Sequence, residues 1–233
     1  MAATHALAQP RRPCMWGGSI VNRRQLLIAS LGALSLERVE PRSQPGQVAA
    51  AASMLTVPAY AQQRNLSCEY ASAVITMASY GSWVSEWAFD ELVGWSPNPH
   101  WGFRGDINGA WGNTVDYGVY AEPLAAALPH FGFAGDVHYA RGDASILTAH
   151  LDAGQPVIVW LGLWGDQGFY EYAEDGTSYK LIPGYHVVVA YGYDESGVYV
   201  SDPALGDYSS WAWGDFMWMW NAVDGMALTV FPS

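Results

Sequence analysis

Beyond residue 67 the apolar positions recur first with the period of a helix and later with that of strands. In 68–80 (CEYASAVITMASY), Ala71, Val74, Ile75 and Ala78 fall at i, i+3, i+4 and i+7, an apolar helical face, and Gly81 stops it. A second helix is predicted over 84–93, ending at Gly94 before Ser96-Pro97-Asn98-Pro99. Residues 95–118, rich in Gly, Asn, Asp and Trp, read as an ordered surface loop. Two short helices are expected over 122–127 and 144–152, the second opened by Asp143 as N-cap. The pattern then changes. Residues 157–161 (VIVWL) are a continuous apolar run suited to a strand buried on both faces, and 186–193 (HVVVAYGY) form a second. Asp194-Glu195-Ser196-Gly197 turns the chain into 198–202 (VYVSD), making a hairpin. A Trp-rich helix over 213–221 and a strand over 226–231 close the domain. The expected class is α+β, with a helical half first and an antiparallel β half second.

Composition adds a division of the chain. Half of the 233 residues are apolar (51%) and 14% are charged, as in a globular domain. A chain of this size needs neither disulfides nor a structural metal to hold a core. After residue 53 only Arg64, Arg104, Arg141 and Lys180 stand against 20 acidic side chains, a net charge of −16. Nucleic acid and anionic membrane surfaces are recruited by Lys and Arg, so neither is an expected partner. Residues 22–36 (NRRQLLIASLGALSL) join a twin arginine, Arg23-Arg24, to an apolar run too short to span a bilayer. Small residues in 49–53 offer cleavage sites. Residues 1–53 are therefore expected to be an export signal and leader, and 54–233 the mature domain, with no membrane span. The arginine pair resembles the twin-arginine export motif, although a general secretory signal with two adjacent arginines fits as well.

Cleavage there removes Cys14 and leaves Cys68 as the one cysteine of the exported protein, unable to form an intramolecular disulfide. A lone thiol in an oxidising compartment is either buried and inert or kept because it reacts. Cys68 opens the first helix, where the dipole lowers a thiol pKa. A base is still required. His186 begins a strongly predicted core strand, and Asp202 ends the strand that returns beside it, so the carboxylate can orient the imidazole. Both must face one side. Pairing Gly192 with Val198, through a five-residue loop, sets Asp202 opposite Val188 and diagonal to His186. A four-residue loop puts them on opposite faces unless a bulge intervenes. Gln62, six residues before Cys68, can join the Cys68 backbone N–H in an oxyanion hole.

Val57-Pro58-Ala59-Tyr60-Ala61-Gln62, Ser67-Cys68-Glu69-Tyr70-Ala71-Ser72, Gly184-Tyr185-His186-Val187-Val188-Val189 and Val198-Tyr199-Val200-Ser201-Asp202-Pro203 together resemble one family. It is the papain-like cysteine peptidases that process double-glycine leaders of bacteriocins (the C39-like peptidases), and the likeness is nearest to their stand-alone exported branch. The resemblance implies the papain-like fold. It makes Cys68 the nucleophile, His186 the base and then acid, Asp202 the orienting carboxylate and Gln62 the oxyanion donor. Glu69 departs from the glycine usual after the nucleophile. Its carboxylate suits the first helical turn but opposes an adjacent thiolate.

Other features carry less. Trp211, Trp213, Trp218 and Trp220 read as packing of the terminal helix, whereas Trp95, Trp101, Trp111 and Trp164 lie in loops that can line a substrate cleft. Asp106, Asn108, Asn113 and Asp116 do not match a calcium loop, and His100, His130, His138 and His150 lack metal-ligand spacing. The expectation is an exported, monomeric thiol hydrolase of peptide or related amide bonds, with a peptide or protein substrate, no cofactor and no metal. The alternatives are an inactive papain-like module that binds peptide or cell-wall polymer, and a relative that passes the acyl group to an amine.

Overall fold

The computed structural model describes residues 53–233. The predicted export segment lies outside them except for Ser53. Helix α1 (Cys68–Ser79) forms where the apolar stripe puts it, with Ala71, Val74 and Ile75 fully buried. The single helix predicted over 84–93 is instead a 3-10 turn (Glu86–Phe89) running into the four-residue α2 (Asp90–Val93). Ser85 accepts from the Trp87 N–H at its start, and Gly94, at φ 65°, ends it. Helices α3 (Ala121–Ala127), α4 (Ser145–Asp152) and α5 (Trp213–Ala222) follow. Asp143 supports α4 by accepting from the Ser145 N–H at 2.9 Å, although the N-cap position itself is Ala144.

Strands β1 (Ser53–Met54), β2 (Phe133–Tyr139), β3 (Val157–Gly162), β6 (Tyr185–Tyr193), β7 (Gly197–Asp202), β8 (Asp207–Ala212) and β9 (Met226–Pro232) form one antiparallel sheet. Its order is β2-β9-β3-β6-β7-β8, with β1 pairing to β6. Strands β4 (Phe169–Tyr172) and β5 (Ser178–Leu181) make a separate hairpin. Helices and strands are less segregated than the sequence suggests, because β2 precedes α4 in the chain yet pairs with the last strand.

Helices cover both faces of the sheet, so β3 is buried along its whole length, as its unbroken apolar run requires. Alternation along β6 divides the core. Tyr185, Val187 and Val189 pack with Val74 and Ile75 of α1, while Val188 and Ala190 pack with Leu147, Leu151 and Trp220 of α4 and α5. The terminal helix uses its tryptophans unequally, since Trp220 is fully buried and Trp218 is 57% exposed. The loop over 95–118 is more than surface. Arg104 holds it by donating to the carbonyls of Pro97 and Thr114, both at 2.7 Å, and to the Glu171 carboxylate, and Phe103 and Tyr117 enter the core.

Candidate active site

Cys68 is the first residue of α1 and is 6% exposed. The N-cap residue Ser67 makes no side-chain cap. Its hydroxyl instead closes the preceding turn, donating to the Arg64 carbonyl at 3.1 Å and accepting from the Arg64 N–H at 3.2 Å. First-turn N–H groups of α1, that of Cys68 included, have no intrahelical acceptor, and Ser67 supplies them no side-chain cap. Ser72 fixes the helix on β6 by donating to the Val187 carbonyl at 3.3 Å.

His186 is the second residue of β6 and Asp202 the last of β7, both buried. The expected pairing of Gly192 with Val198 does not occur. Tyr193 pairs with Val198 and Gly192 with Tyr199, the odd-sum register of the shorter loop. A bulge at Tyr191 then adds one residue to β6, so that Ala190 pairs with Val200 and Val189 with Ser201. Continued one step, this register sets Asp202 against Val188, and His186 Nε2 lies 2.7 Å from Asp202 Oδ1. The same carboxylate oxygen accepts from the Ala204 N–H at 2.9 Å. Burial would raise the Asp202 pKa, but the bond and charge of His186, with the Ala204 and Leu205 N–H groups, bring it below the ordinary carboxylate value.

Gln62 is joined to the end of β7 by its N–H, which donates to the Pro203 carbonyl at 2.8 Å. Its side-chain NH₂ donates to the carbonyls of Arg64 and Asn65, both at 2.8 Å, leaving Oε1 buried without a partner. Cys68, His186, Asp202 and Gln62 border one cavity of about 380 Å³. Trp111, Leu163 and Leu205 form its apolar walls.

The thiol does not have the electrostatics that its helix position alone predicts. Burial raises its pKa well above the ordinary value, and the Glu69 charge adds to that, against a lowering contribution from the Val187 N–H. Cys68 Sγ donates to Glu69 Oε2 at 3.3 Å, and no hydrogen bond joins it to the His186 ring among the described residues. Glu69 is fully buried, and burial raises its own pKa although Tyr185, Val119 and Cys68 all donate to it. Sequence reasoning missed Tyr185. Its one signal is the place beside His186 on a strand whose alternation turns it toward α1.

Of the loop tryptophans, Trp111 lines the cavity, and Trp164 packs edge-on against it with ring centroids 5.0 Å apart. Trp95 and Trp101 instead border a separate depression beside Glu174 and Asp175. Asp106, Asn113 and Asp116 use their side-chain oxygens to accept backbone N–H groups within their own loop. The His138 and His150 rings pack at a tilt with centroids 4.8 Å apart, and His100 bonds to Glu122 at 2.9 Å. No group of three or more His, Cys, Asp or Glu able to hold a metal occurs among the described residues, and none of their helices is long and apolar enough to cross a membrane.

A family model described as "Peptidase_C39 like family" matches residues 54–228. This chain belongs to the Peptidase_C39 like family. Among solved structures it is similar to a putative C39-like peptidase from Bacillus anthracis, with 22% identity, 78% of this chain and 98% of that one covered, and a TM-score of 0.64. It is also similar to a double glycine motif protease from an AMS/PCAT transporter solved with its leader peptide (16% identity, 78% and 95% covered, TM-score 0.48). The peptidase domain of Streptococcus ComA, a bi-functional ABC transporter involved in quorum sensing, has 18% identity, with 75% and 97% covered and a TM-score of 0.48. No curated protein matches the chain. The fold is papain-like, with mixed helices and an antiparallel sheet, and the family is one of cysteine peptidases that hydrolyse peptide bonds.

Proposed function

We propose that the mature chain is an exported thiol hydrolase that cleaves peptide or related amide bonds through an acyl-enzyme on Cys68. The observation that carries this reading is one cavity bordered by Cys68 at a helix N-terminus and by a His186 ring held at 2.7 Å on Asp202. With Nε2 engaged by Asp202, Nδ1 is the nitrogen left for the thiol. His186 takes the Sγ proton, the thiolate adds to the scissile carbonyl, and the imidazolium returns that proton to the departing amine. Water, deprotonated by the same ring, then releases the acid and restores the thiol. The oxyanion is stabilised by the uncapped Cys68 N–H and by Gln62, which must give up one of its two carbonyl partners to donate.

Export is read from Arg23-Arg24 and the apolar run after it. Replacing both arginines by lysine should leave precursor in the cytoplasm if the route is twin-arginine, whereas a general secretory signal tolerates the change. An idle, peptide-binding module is favoured by one observation, the thiol bonded to Glu69 and not to His186. Incubation of the purified mature chain with a mixed peptide pool decides between them. Cleavage products from the wild type that are absent with Cys68→Ala support the hydrolase, and their absence from both rejects it.

A further inference from the structure

Glu69 is a buried carboxylate that the hydrolytic steps above leave unused, yet the fold is shaped around it. It is fully buried, accepts from the Val119 N–H at 2.8 Å and from the Tyr185 hydroxyl, and has no Lys or Arg partner among the described residues. Gly118, at φ 140°, precedes Val119 and stands where any Cβ would collide with both the Tyr185 hydroxyl and Glu69 Oε1. Two neutral donors therefore hold Oε1, while Oε2 takes the hydrogen of the nucleophile itself, at 3.3 Å.

We propose that Glu69 is a positioning residue that keeps the hydrogen of the substrate-free Cys68 thiol on its own carboxylate, so that the nucleophile forms only when Sγ turns to His186. The proposal rests on reading Cys68 as nucleophile and His186 as base. An ionised Glu69 and a thiolate in contact, with almost no water between them, repel strongly. The groups facing the thiol are Glu69 on its own helix, Tyr185 and His186 from β6 and Asp202 from β7. Glu69 and Asp202 both oppose the thiolate, and the Val187 N–H favours it. When Sγ turns, its proton passes to His186 Nδ1, thiolate and imidazolium form together, and Glu69 keeps the bonds from Val119 and Tyr185. A contact leads from the cleft to this lock. Trp111 lines the cavity and donates through Nε1 to the Tyr185 carbonyl at 2.8 Å, so a substrate seated on Trp111 touches a residue bonded to the one that holds Glu69.

The test is the pH profile of iodoacetamide alkylation of Cys68 without substrate, in the wild type and in Glu69→Gln. A glutamine fills the same space, turns its amide NH₂ toward sulfur and carries no charge. The expected midpoint in Glu69→Gln lies at least about one pH unit below the wild type's, about tenfold faster alkylation at neutral pH. A midpoint equal to or above the wild type's overturns the proposal. If that variant does not fold, Glu69→Gly, which also removes the charge, is read in the same way: a midpoint below the wild type's supports the lock, and one equal to or above it overturns it. Turnover by Cys68→Ala tests the nucleophile itself and stands apart from both results.

Discussion

His186 Nε2 reaches Asp202 Oδ1 at 2.7 Å across a hairpin whose turn has the wrong parity to bring them together. The bulge at Tyr191 restores it. A one-residue insertion in β6 moves every position beyond it to the opposite relation with β7, which is what the pair at the open end of the hairpin needs. Asp202 accepts from His186 Nε2, which in the proposed chemistry leaves Nδ1 for the thiol, and an amide oxygen can accept in the same way. Asp202→Asn should therefore retain substantial kcat/KM, whereas Asp202→Ala, which frees the ring to rotate, should lose considerably more, with both melting near the wild type. Steady-state kinetics beside a thermal melt of each variant checks this. Equal activity of the two, or unfolding of the alanine variant, makes Asp202 a strand-end support for Ala204 and no more.

Gln62 stands between two roles. Its NH₂ holds the carbonyls of Arg64 and Asn65 in the loop that leads into α1, and the proposed chemistry asks it to donate to an oxyanion. Gln62→Ala should lower kcat by about 10²-fold or more with a much smaller change in KM, because an oxyanion donor acts on the transition state. A lower melting temperature with unchanged kcat would assign it to the loop alone.

Trp111 forms one wall of the cavity and carries the indole N–H bonded to the Tyr185 carbonyl. Trp111→Phe keeps an aromatic wall and removes the N–H, while Trp111→Ala removes both. The alanine variant should raise KM by about tenfold, equivalent to about 1.4 kcal/mol of lost binding. The phenylalanine variant should keep most of the binding. A KM unchanged from the wild type in both would mean that the wall does not touch substrate.

Burial raises the Glu69 pKa in the folded chain above its unfolded value. A group of that kind favours the folded state below its unfolded pKa and loses the contribution as pH rises toward the folded value. Wild type and Glu69→Gln should therefore differ in melting temperature increasingly in favour of the glutamine variant as pH rises from the acid range toward neutrality. Thermal melts at several pH values measure it. A difference independent of pH would mean that Glu69 is as readily ionised in the folded chain as in the unfolded one.

The legible parts of the fold were those whose period is tied to burial. The stripe of Ala71, Val74 and Ile75 and the unbroken run of β3 face packed layers, so their spacing survives in the sequence. Strands β4 and β8 escaped because they are largely exposed, and their Tyr, Ser and Asp residues alternate against no core. β2 pairs on one side only, with β9, and its Gly135 sits where a Cβ would press on Leu128 and the Thr229 carbonyl, which breaks the apolar alternation. At the candidate site, Cys68, His186, Asp202 and Gln62 were named from spacing and resemblance, and one cavity adjoins all four. What spacing could not supply was the environment of the thiol. The partners of Glu69 come from Val119, 50 residues away, and Tyr185, 116 residues away, and only the folded chain brings them together.

The most direct test of the central claim is covalent. A peptide pool cleaved by the mature chain identifies a substrate, and rapid acid quenching of that substrate with the enzyme, followed by mass spectrometry of the digested protein, reads whether an acyl group is attached to Cys68. The account predicts an adduct on the peptide containing Cys68 that increases its mass by the acyl fragment and is absent from Cys68→Ala, which also leaves the substrate intact. Cleavage that continues undiminished in Cys68→Ala would contradict it.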